Sequence, residues 1–212
     1  MPEKTTANTA RAAGQPGRGL VLASTSPYRR ALLARLGLPF LAVAPSADET
    51  PLPGERPAAT ALRLAEAKAR SIAVDHPTAL IIGSDQVADC DGEAVGKPGT
   101  HDRAIAQLAR LAGRTIVFHT GLALLDAGTG HCQTALVDVR STFRPLALPE
   151  IEAYLRRERP YDCAGSVKSE ALGIALFERI ESDDPTALIG LPLIRLTGML
   201  RAAGMPVLAP QG

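Results

Sequence analysis

The sequence contains no tryptophan, and aromatic residues make up only 3% of it. Proteins that bind single-stranded nucleic acid stack the bases on aromatic side chains, so this composition disfavours that class. The formal net charge is +1, so the chain also lacks the basic excess that attracts nucleic acids and anionic membranes. No apolar run approaches the roughly 20 residues that a membrane-spanning helix needs. We therefore expect neither a nucleic acid nor a membrane among the partners.

Cysteine is scarce, and two well-known phosphate-binding motifs are missing. The chain has three cysteines, Cys90, Cys132 and Cys163, which are far apart and form no Cys-x-x-Cys motif. They also form no metal-ligand cluster with the four histidines, so the pattern fits a reduced, cytoplasmic compartment. Neither a Walker sequence nor a Gly-x-Gly-x-x-Gly motif occurs, so neither a P-loop nor a dinucleotide-binding fold is supported.

The length and composition that remain are those of an ordinary globular protein. The chain has 212 residues, of which 46% are hydrophobic and 21% charged, which is enough for an ample core. Residues 1–18 are polar and rich in Ala, Thr and Gly, and they predict a disordered N-terminal extension. We expect residues 19–205 to form one domain and residues 206–212 to be a C-terminal tail.

A strand, a tight turn and a helix are predicted near the start of this domain. The apolar run 20–23 ends in three hydroxyl residues, and Ser26 followed by Pro27 is typical of a helix N-cap and first turn. Arg29 and Arg30 fall in that first turn, where the helix dipole disfavours cations. An anion bound at this end of the helix would make the two cations favourable there. The alternative is that both arginines bend into solvent.

A second helix is predicted from about Pro57 to Val74, and it contains a misplaced charge. On a helical wheel Lys68 falls inside the apolar stripe, between Leu64 and Ile72. A lysine in that position either snorkels along the edge of the core or points its ammonium into a site. The sequence leaves both alternatives open.

A buried strand is predicted from Ala79 to Asp85, where the apolar run ends in Gly-Ser-Asp. Ligands of open α/β sheets collect at the carboxyl ends of strands, so Asp85 is a candidate for chemistry, and a turn or capping aspartate is the alternative. Asp91-Gly92 indicates a hairpin that returns Lys97 toward Asp85. Further helices are predicted at 100–112, 149–159 and 190–201, and further strands at 115–125, 132–142 and 172–180.

Polar clusters stand at the ends of these apolar elements and mix several cations with a few carboxylates. Phosphoryl chemistry uses this mixture, because Lys and Arg neutralise phosphate oxygens while carboxylates hold a divalent ion or deprotonate water. The clusters are Ser24 to Arg30, Asp48-Glu49, Lys68, Ser84-Asp85-Gln86 with Lys97, and Lys168-Ser169-Glu170.

Together the motifs in these clusters resemble the Maf family of nucleoside triphosphate pyrophosphatases. The resemblance runs from about Leu20 to Gly204 and rests on Leu-Ala-Ser-Thr-Ser-Pro-Tyr-Arg-Arg, Asp-Glu-Thr-Pro, Ile-Ile-Gly-Ser-Asp-Gln-Val, Gly-Lys-Pro, Cys-Ala-Gly-Ser-Val-Lys-Ser-Glu and Gly-Leu-Pro-Leu. It is closest to the branch that hydrolyses 7-methyl-GTP. The branch that acts on dTTP and UTP usually has Asp-Thr in place of Asp85-Gln86 and a glutamine-containing loop in place of Lys168-Ser169-Glu170.

The resemblance implies an elongated mixed α/β fold, in which a sheet flanked by helices forms two lobes around a central cleft, often as a homodimer. It implies hydrolysis of the nucleotide to a monophosphate and diphosphate with Asp85 as proton acceptor, aided by a divalent cation such as Mg, Mn or Co. Glu49 and Asp85 are the candidate metal ligands. The phosphate and metal site would be lined by Ser24, Arg29, Glu49, Lys68, Lys97 and Lys168. Base preference would come from Tyr28, Gln86 and Glu170.

Three alternatives to this reading of the site remain. The substrate could be dTTP, UTP or another nucleotide, since the 7-methyl-GTP branch often has Trp where this chain has Tyr28. The protein could instead be a non-hydrolytic nucleotide-binding regulator of cell division, although all the charged positions needed for catalysis are present. Finally, Glu170 could simply pair with Lys168 on its loop.

Overall fold

The computed structural model describes residues 18–208. It is a mixed α/β structure built on one seven-stranded sheet. The strands are β1 (Leu20–Ala23), β2 (Leu41–Val43), β3 (Leu80–Cys90), β4 (Glu93–Val95), β5 (Thr115–Asp126), β6 (Cys132–Phe143) and β7 (Phe177–Glu181). The helices are α1 (Pro27–Ala34), α2 (Pro57–Ser71), α3 (His101–Leu111), α4 (Leu148–Glu158) and α5 (Leu193–Ala202).

The strands follow the order β2-β1-β3-β5-β6-β7, and β4 pairs with β3 outside this path. The pairs β1–β2 and β1–β3 are parallel, whereas the pairs β3–β4, β3–β5, β5–β6 and β6–β7 are antiparallel. The predicted mixed sheet flanked by helices is therefore confirmed. The elongated outline and the division into two lobes stay predictions.

The first strand, turn and helix form as the sequence predicts. The Ser26 Oγ accepts a hydrogen bond from the Arg29 amide at 3.3 Å, and Pro27 occupies the first turn of α1. Leu32 and Leu33 turn the apolar face of α1 into the core. Gly37 then adopts φ of 68°, a left-handed conformation that glycine tolerates without strain. Ser26 thus caps the start of α1 three residues after the end of β1.

The position of Asp85 corrects one prediction, because β3 does not end there. β5 pairs with β3 from Leu80 to Asp89 and carries the strand through Asp85. On the other edge, β1 pairs only as far as Gly83 and β4 begins only at Ala88. Residues 84–87 therefore have one edge that neither β1 nor β4 covers. The open edge follows from the end of β1 rather than from the end of β3.

The predicted strand at 172–180 is also wrong in its first half. Leu172–Leu176 forms a 3-10 helix, and the strand β7 begins only at Phe177. The reason is a close approach of the chain to itself: a Cβ on Gly173 would overlap the backbone of Lys168. In addition, the Leu172 amide donates to the Glu158 Oε2 at 3.1 Å instead of to a neighbouring strand.

Two glycines let α2 lie directly on the sheet. A Cβ on Gly83 would overlap the carbonyl oxygen of Ala65, and a Cβ on Gly121 would overlap that of Ala61. Ala61, Ala65 and Ala69 on the facing side of α2 are fully buried. This close packing fixes the height of α2 above β3, and with it the position of Lys68.

We expect Gly83→Ala to lower the free energy of unfolding by at least about 1–3 kcal/mol, the usual cost of overpacking a close-packed interior. The added methyl group meets backbone atoms of α2, which cannot rotate away as a side chain can. Chemical denaturation would measure the loss. Gly198→Ala in α5 is the matched control, because nothing lies within 4 Å of its Cβ position. Equal stability of the two variants would contradict the close packing of α2.

The ends of the predicted domain are only partly visible. Residues 1–17 and 209–212, which hold most of the predicted extension and part of the predicted tail, lie outside the described residues. Arg18 forms an ion pair with Asp126 and donates to the Ala203 carbonyl at 3.1 Å. Val207 packs against the core formed by α1, α5 and the sheet. Between residues 18 and 208, no helix has the length and apolar character needed to cross a bilayer.

Candidate active site

A cleft of about 500 Å³ lies at the open edge of β3. Consecutive residues of a strand point to opposite faces of the sheet, yet Asp85 and Gln86 both line this cleft. They can do so because no neighbouring strand covers this edge of β3, so the cleft extends around the edge to both faces. The segment from Ala23 to Arg29 forms the wall next to β1, and Lys97 follows β4. All the predicted site residues line the cleft except Lys168: Ser24, Tyr28, Arg29, Glu49, Lys68, Asp85, Gln86, Lys97 and Glu170.

The ammonium group of Lys68 joins two carboxylates inside this cleft. Its Nζ lies 2.5 Å from the Asp85 Oδ1 and 2.8 Å from the Glu49 Oε1. Lys68 is only 6% exposed, so the structure decides against the snorkelling alternative. The interruption of the apolar stripe in the α2 sequence therefore marks the residue that carries a charge to β3.

Asp85 keeps one carboxylate oxygen available for a ligand or a water molecule. Its Oδ1 accepts from Lys68, whereas its Oδ2 accepts no hydrogen bond from residues 18–208. The neighbouring Ser84 faces away, and its Oγ donates to the carbonyls of Gly121 and Gly190 at 2.9 and 2.8 Å. Of this pair only Asp85 therefore has an atom available to a ligand, whereas the Ser84 hydroxyl ties β3 to β5 and to Gly190.

Arg29 enters the cleft from the first turn of α1. Its Nε donates to the Gly190 carbonyl at 2.8 Å, which leaves Nη1 and Nη2 to bind an anion. Burial lowers the pKa of the Arg29 guanidinium, and the nearby Asp85 and Glu49 carboxylates partly offset that effect. Arg30 is exposed and does not line the cleft, so only one of the two arginines is a site residue.

Ser24 adds a hydroxyl donor beside Arg29. Its Oγ accepts a hydrogen bond from the Ser26 amide at 3.1 Å, so its hydroxyl hydrogen remains available to a ligand. Ser24 is 5% exposed and lines the cleft. The end of β1 therefore presents a hydroxyl and a guanidinium to the same space, as an anion site at a helix N-terminus requires.

The acidic pair on the loop after β2 divides between the site and solvent. The Asp48 Oδ1 accepts from the Thr50 amide at 2.9 Å and does not line the cleft. Glu49 turns inward to Lys68. Burial alone would raise the pKa of the Glu49 carboxyl, but the hydrogen bond and charge of Lys68, with Lys97 and Arg29, lower it overall. Glu49 is therefore ionised at neutral pH.

The donor set of the cleft fits a divalent cation that binds together with a phosphate. Among residues 18–208 no three His, Cys, Asp or Glu side chains are grouped closely enough to hold a metal ion by themselves. Glu49 and Asp85 do converge on one point, the Lys68 Nζ. Mg²⁺ is commonly held by one or two carboxylates together with water and substrate phosphates, so two carboxylates are sufficient.

Tyr28 and Glu170 also line the cleft, whereas Lys168 does not. The Lys168 Nζ lies 6.0 Å from the centre of the Tyr28 ring and pairs with Glu158 at 3.8 Å, not with Glu170. Burial lowers the pKa of Lys168, but its interaction with Tyr28 and the neighbouring anionic groups raises that pKa overall. Lys168 is thus a cation that contacts the Tyr28 side chain but does not itself line the cleft.

Sequence reasoning missed the segment that closes the cleft opposite α2. The 3-10 turn Ala187–Ile189 and Gly190 offer backbone carbonyls to Arg29, Ser84, Gln86 and Thr120. Thr120 was not predicted to matter, because only the pairing of β3 with β5 places it opposite Gln86. The Gly-Leu-Pro motif at 190–192 was the available signal, but it does not show which carbonyls turn inward.

The fold and the cleft together define a class: a mixed α/β protein whose cleft gathers cations and carboxylates at an open strand edge. Within that class, the chain belongs to the family described as Maf-like protein, whose model matches residues 19–203. This confirms the resemblance predicted from the sequence motifs.

Three relatives are similar over most of their length, and each is named 7-methyl-GTP pyrophosphatase. The protein of Cupriavidus metallidurans is 62% identical over 187 residues, which are 88% of this chain and 94% of the relative. That of Polaromonas sp. is 58% identical over 97% of this chain and 94% of its own. That of Thiobacillus denitrificans is 62% identical over 89% of this chain and 94% of its own.

Proposed function

We propose that this protein is a nucleoside triphosphate pyrophosphatase that hydrolyses 7-methyl-GTP to 7-methyl-GMP and diphosphate. The observation that carries this proposal is the Lys68 ammonium between Asp85 and Glu49, beside the anion site of α1. The relatives of about 60% identity that are named 7-methyl-GTP pyrophosphatase support the same substrate.

The triphosphate is held by the cations that converge on the cleft. Arg29 offers two nitrogen atoms of its guanidinium, Ser24 offers its hydroxyl, and Lys97 reaches in from the loop after β4. Charge-assisted hydrogen bonds to phosphate oxygens are about twice as strong as neutral ones. These groups therefore fix the phosphates relative to Asp85.

Asp85 acts as the proton acceptor for the attacking water. Lys68 holds its Oδ1, so the carboxylate cannot rotate freely, and its Oδ2 is left to take a proton from a water molecule. General-base catalysis of this kind typically contributes about 10²–10⁴-fold. Glu49 and Asp85 would hold the divalent cation, Mg, Mn or Co, which when bound neutralises phosphate charge.

The base is bound by Tyr28, Gln86 and Glu170, which all line the cleft. A 7-methylguanine ring carries a positive charge, which favours an aromatic face and a nearby carboxylate. Burial raises the pKa of Tyr28, so its phenol stays neutral and its ring remains available for stacking.

The free thiols of Cys90, Cys132 and Cys163 agree with a cytoplasmic site of action.

Substrate preference tests this proposal. We expect kcat/KM to be higher for 7-methyl-GTP than for GTP, UTP or dTTP in the wild type. Glu170→Gln should lose most of the preference over GTP, because it removes the charge that complements the cationic ring. Glu178→Gln is the matched control, since Glu178 is an exposed carboxylate of β7 outside the cleft. Equal kcat/KM for GTP and 7-methyl-GTP in the wild type would refute the base assignment.

A further inference from the structure

The neighbours of Gln86 bind its amide nitrogen, so that only its amide oxygen, a hydrogen-bond acceptor, is available in the cleft. Its Nε2 donates to the Ala187 carbonyl at 2.9 Å, the Leu188 carbonyl at 3.1 Å and the Thr120 Oγ1 at 3.0 Å. An amide nitrogen has two hydrogen atoms, so these three acceptors use its whole donor capacity. The Gln86 Oε1 accepts no hydrogen bond from residues 18–208, and Gln86 lines the cleft.

The orientation of this amide is determined by its neighbours. A backbone carbonyl can only accept, so a flipped Gln86 would place its own oxygen against two other oxygens, those of Ala187 and Leu188. Thr120 reinforces the choice, because its hydroxyl already donates to the Ala187 carbonyl at 3.0 Å. Its Oγ1 is left as an acceptor for Gln86. Thr120 is fully buried and lies directly opposite Gln86 in the β3–β5 pairing.

We propose that Thr120 is a positioning residue for base recognition, which turns Gln86 so that its side chain presents only an acceptor to the base. The Gln86 Oε1 and the Glu170 carboxylate are both acceptors, and both line the cleft. This proposal rests on the proposed function, because it concerns the base of the same nucleotide. It names the class of base: one whose edge turns N–H donors, rather than carbonyl oxygens, toward Gln86 and Glu170.

Guanine bases match this class, and pyrimidines do not. The Watson–Crick edge of guanine and of 7-methylguanine carries N1–H beside the 2-amino group. The edge of uracil or thymine has a single N–H between two carbonyl oxygens, which would face the oxygens of the cleft. With a pyrimidine the half-buried Gln86 oxygen would be left without a donor, so this arrangement selects against UTP and dTTP.

The test measures base selectivity in Thr120→Val, which keeps the shape of the side chain and removes its hydroxyl. The ratio of kcat/KM for 7-methyl-GTP over UTP is expected to fall about threefold to tenfold, the range for one hydrogen bond. Thr120→Ser keeps the hydroxyl and should keep the ratio. An unchanged ratio in folded Thr120→Val would overturn the proposal.

A double-mutant cycle separates positioning from a general structural effect. If Thr120 acts through Gln86, Thr120→Val should change the ratio much less when Gln86→Met is already present. An equal change in both backgrounds would mean that Thr120 acts on something else. If Thr120→Val does not fold, Gln86→Met still keeps the proposal falsifiable: a wild-type ratio in Gln86→Met would refute it, because Thr120 is proposed to act through Gln86.

Binding of the products distinguishes a failure of this proposal from a failure of the proposed function. Calorimetric dissociation constants for 7-methyl-GMP and UMP report base recognition without any turnover. Tighter binding of 7-methyl-GMP that weakens in Thr120→Val would support the positioning role even if the wild type released no diphosphate. Equal binding of the two monophosphates by the wild type would overturn it, whatever the enzyme hydrolyses.

Discussion

Asp85→Asn is expected to reduce kcat for 7-methyl-GTP by about 10²–10⁴-fold, the usual contribution of a general base. The amide has nearly the same size as the carboxylate but cannot accept a proton from water. Lys68 keeps its contact with Glu49 in this variant, so the fold should survive. The measurement is diphosphate release under saturating substrate, with thermal unfolding recorded on the same preparation.

Asp48→Asn is the matched control for this change. Asp48 is an exposed carboxylate next to Glu49 in sequence, but it does not line the cleft. Its variant should therefore keep kcat close to the wild-type value. Wild-type kcat in folded Asp85→Asn would show that Asp85 does not serve as the proton acceptor.

Lys68→Met should abolish most activity and also destabilise the protein. The change removes the cation that lies 2.5 Å from Asp85 and 2.8 Å from Glu49, so both carboxylates lose the hydrogen-bond donor and nearest positive charge that they share. Breaking a fully buried pair costs about 3–5 kcal/mol, and access of water to the cleft should reduce this to about 1–3 kcal/mol. Chemical denaturation and diphosphate release measure the two effects.

The double variant Lys68→Met with Asp85→Asn identifies the cause of the lost stability. If the uncompensated carboxylate is responsible, neutralising Asp85 should restore much of the free energy of unfolding while activity stays lost. Arg70→Met, on the exposed side of the same helix, is the matched control, because the Arg70–Glu66 pair lies at the surface. If the double variant is no more stable than Lys68→Met, the loss of the Lys68–Asp85 contact is not the cause of the lost stability.

The local elements could be predicted from the sequence because their signals are local. Ser26 and Pro27 define the start of α1, and Asp91-Gly92 defines the β3–β4 hairpin, as the structure confirms. The break in the stripe of α2 located Lys68 but not its partners. From the stripe alone, Lys68→Met would be expected to keep or raise stability. The contact between Lys68 and Asp85 reverses that expectation. This contact forms because α2 packs closely on Gly83 and Gly121, which the apolar stripe does not show.

The features that could not be predicted depend on long-range pairing. The hairpin at Asp91-Gly92 implies a strand arm that ends at Cys90, but nothing near Asp85 shows that this arm continues the strand before it, because β5, more than 30 residues further along, joins the two. The role of Thr120 depends on the same pairing and on a 3-10 turn near residue 188. The motif similarity identified the residues of the cleft, whereas their hydrogen bonds had to come from the structure.

Hydrolysis of 7-methyl-GTP in ¹⁸O-labelled water tests the central claim most directly. Mass spectrometry of the products shows which phosphorus atom water attacks. If the protein is a nucleoside triphosphate pyrophosphatase of the kind proposed, the products are 7-methyl-GMP and unlabelled diphosphate, and the label from water is in the monophosphate. Release of inorganic phosphate with 7-methyl-GDP, label in the diphosphate, or no hydrolysis with any divalent cation would contradict it.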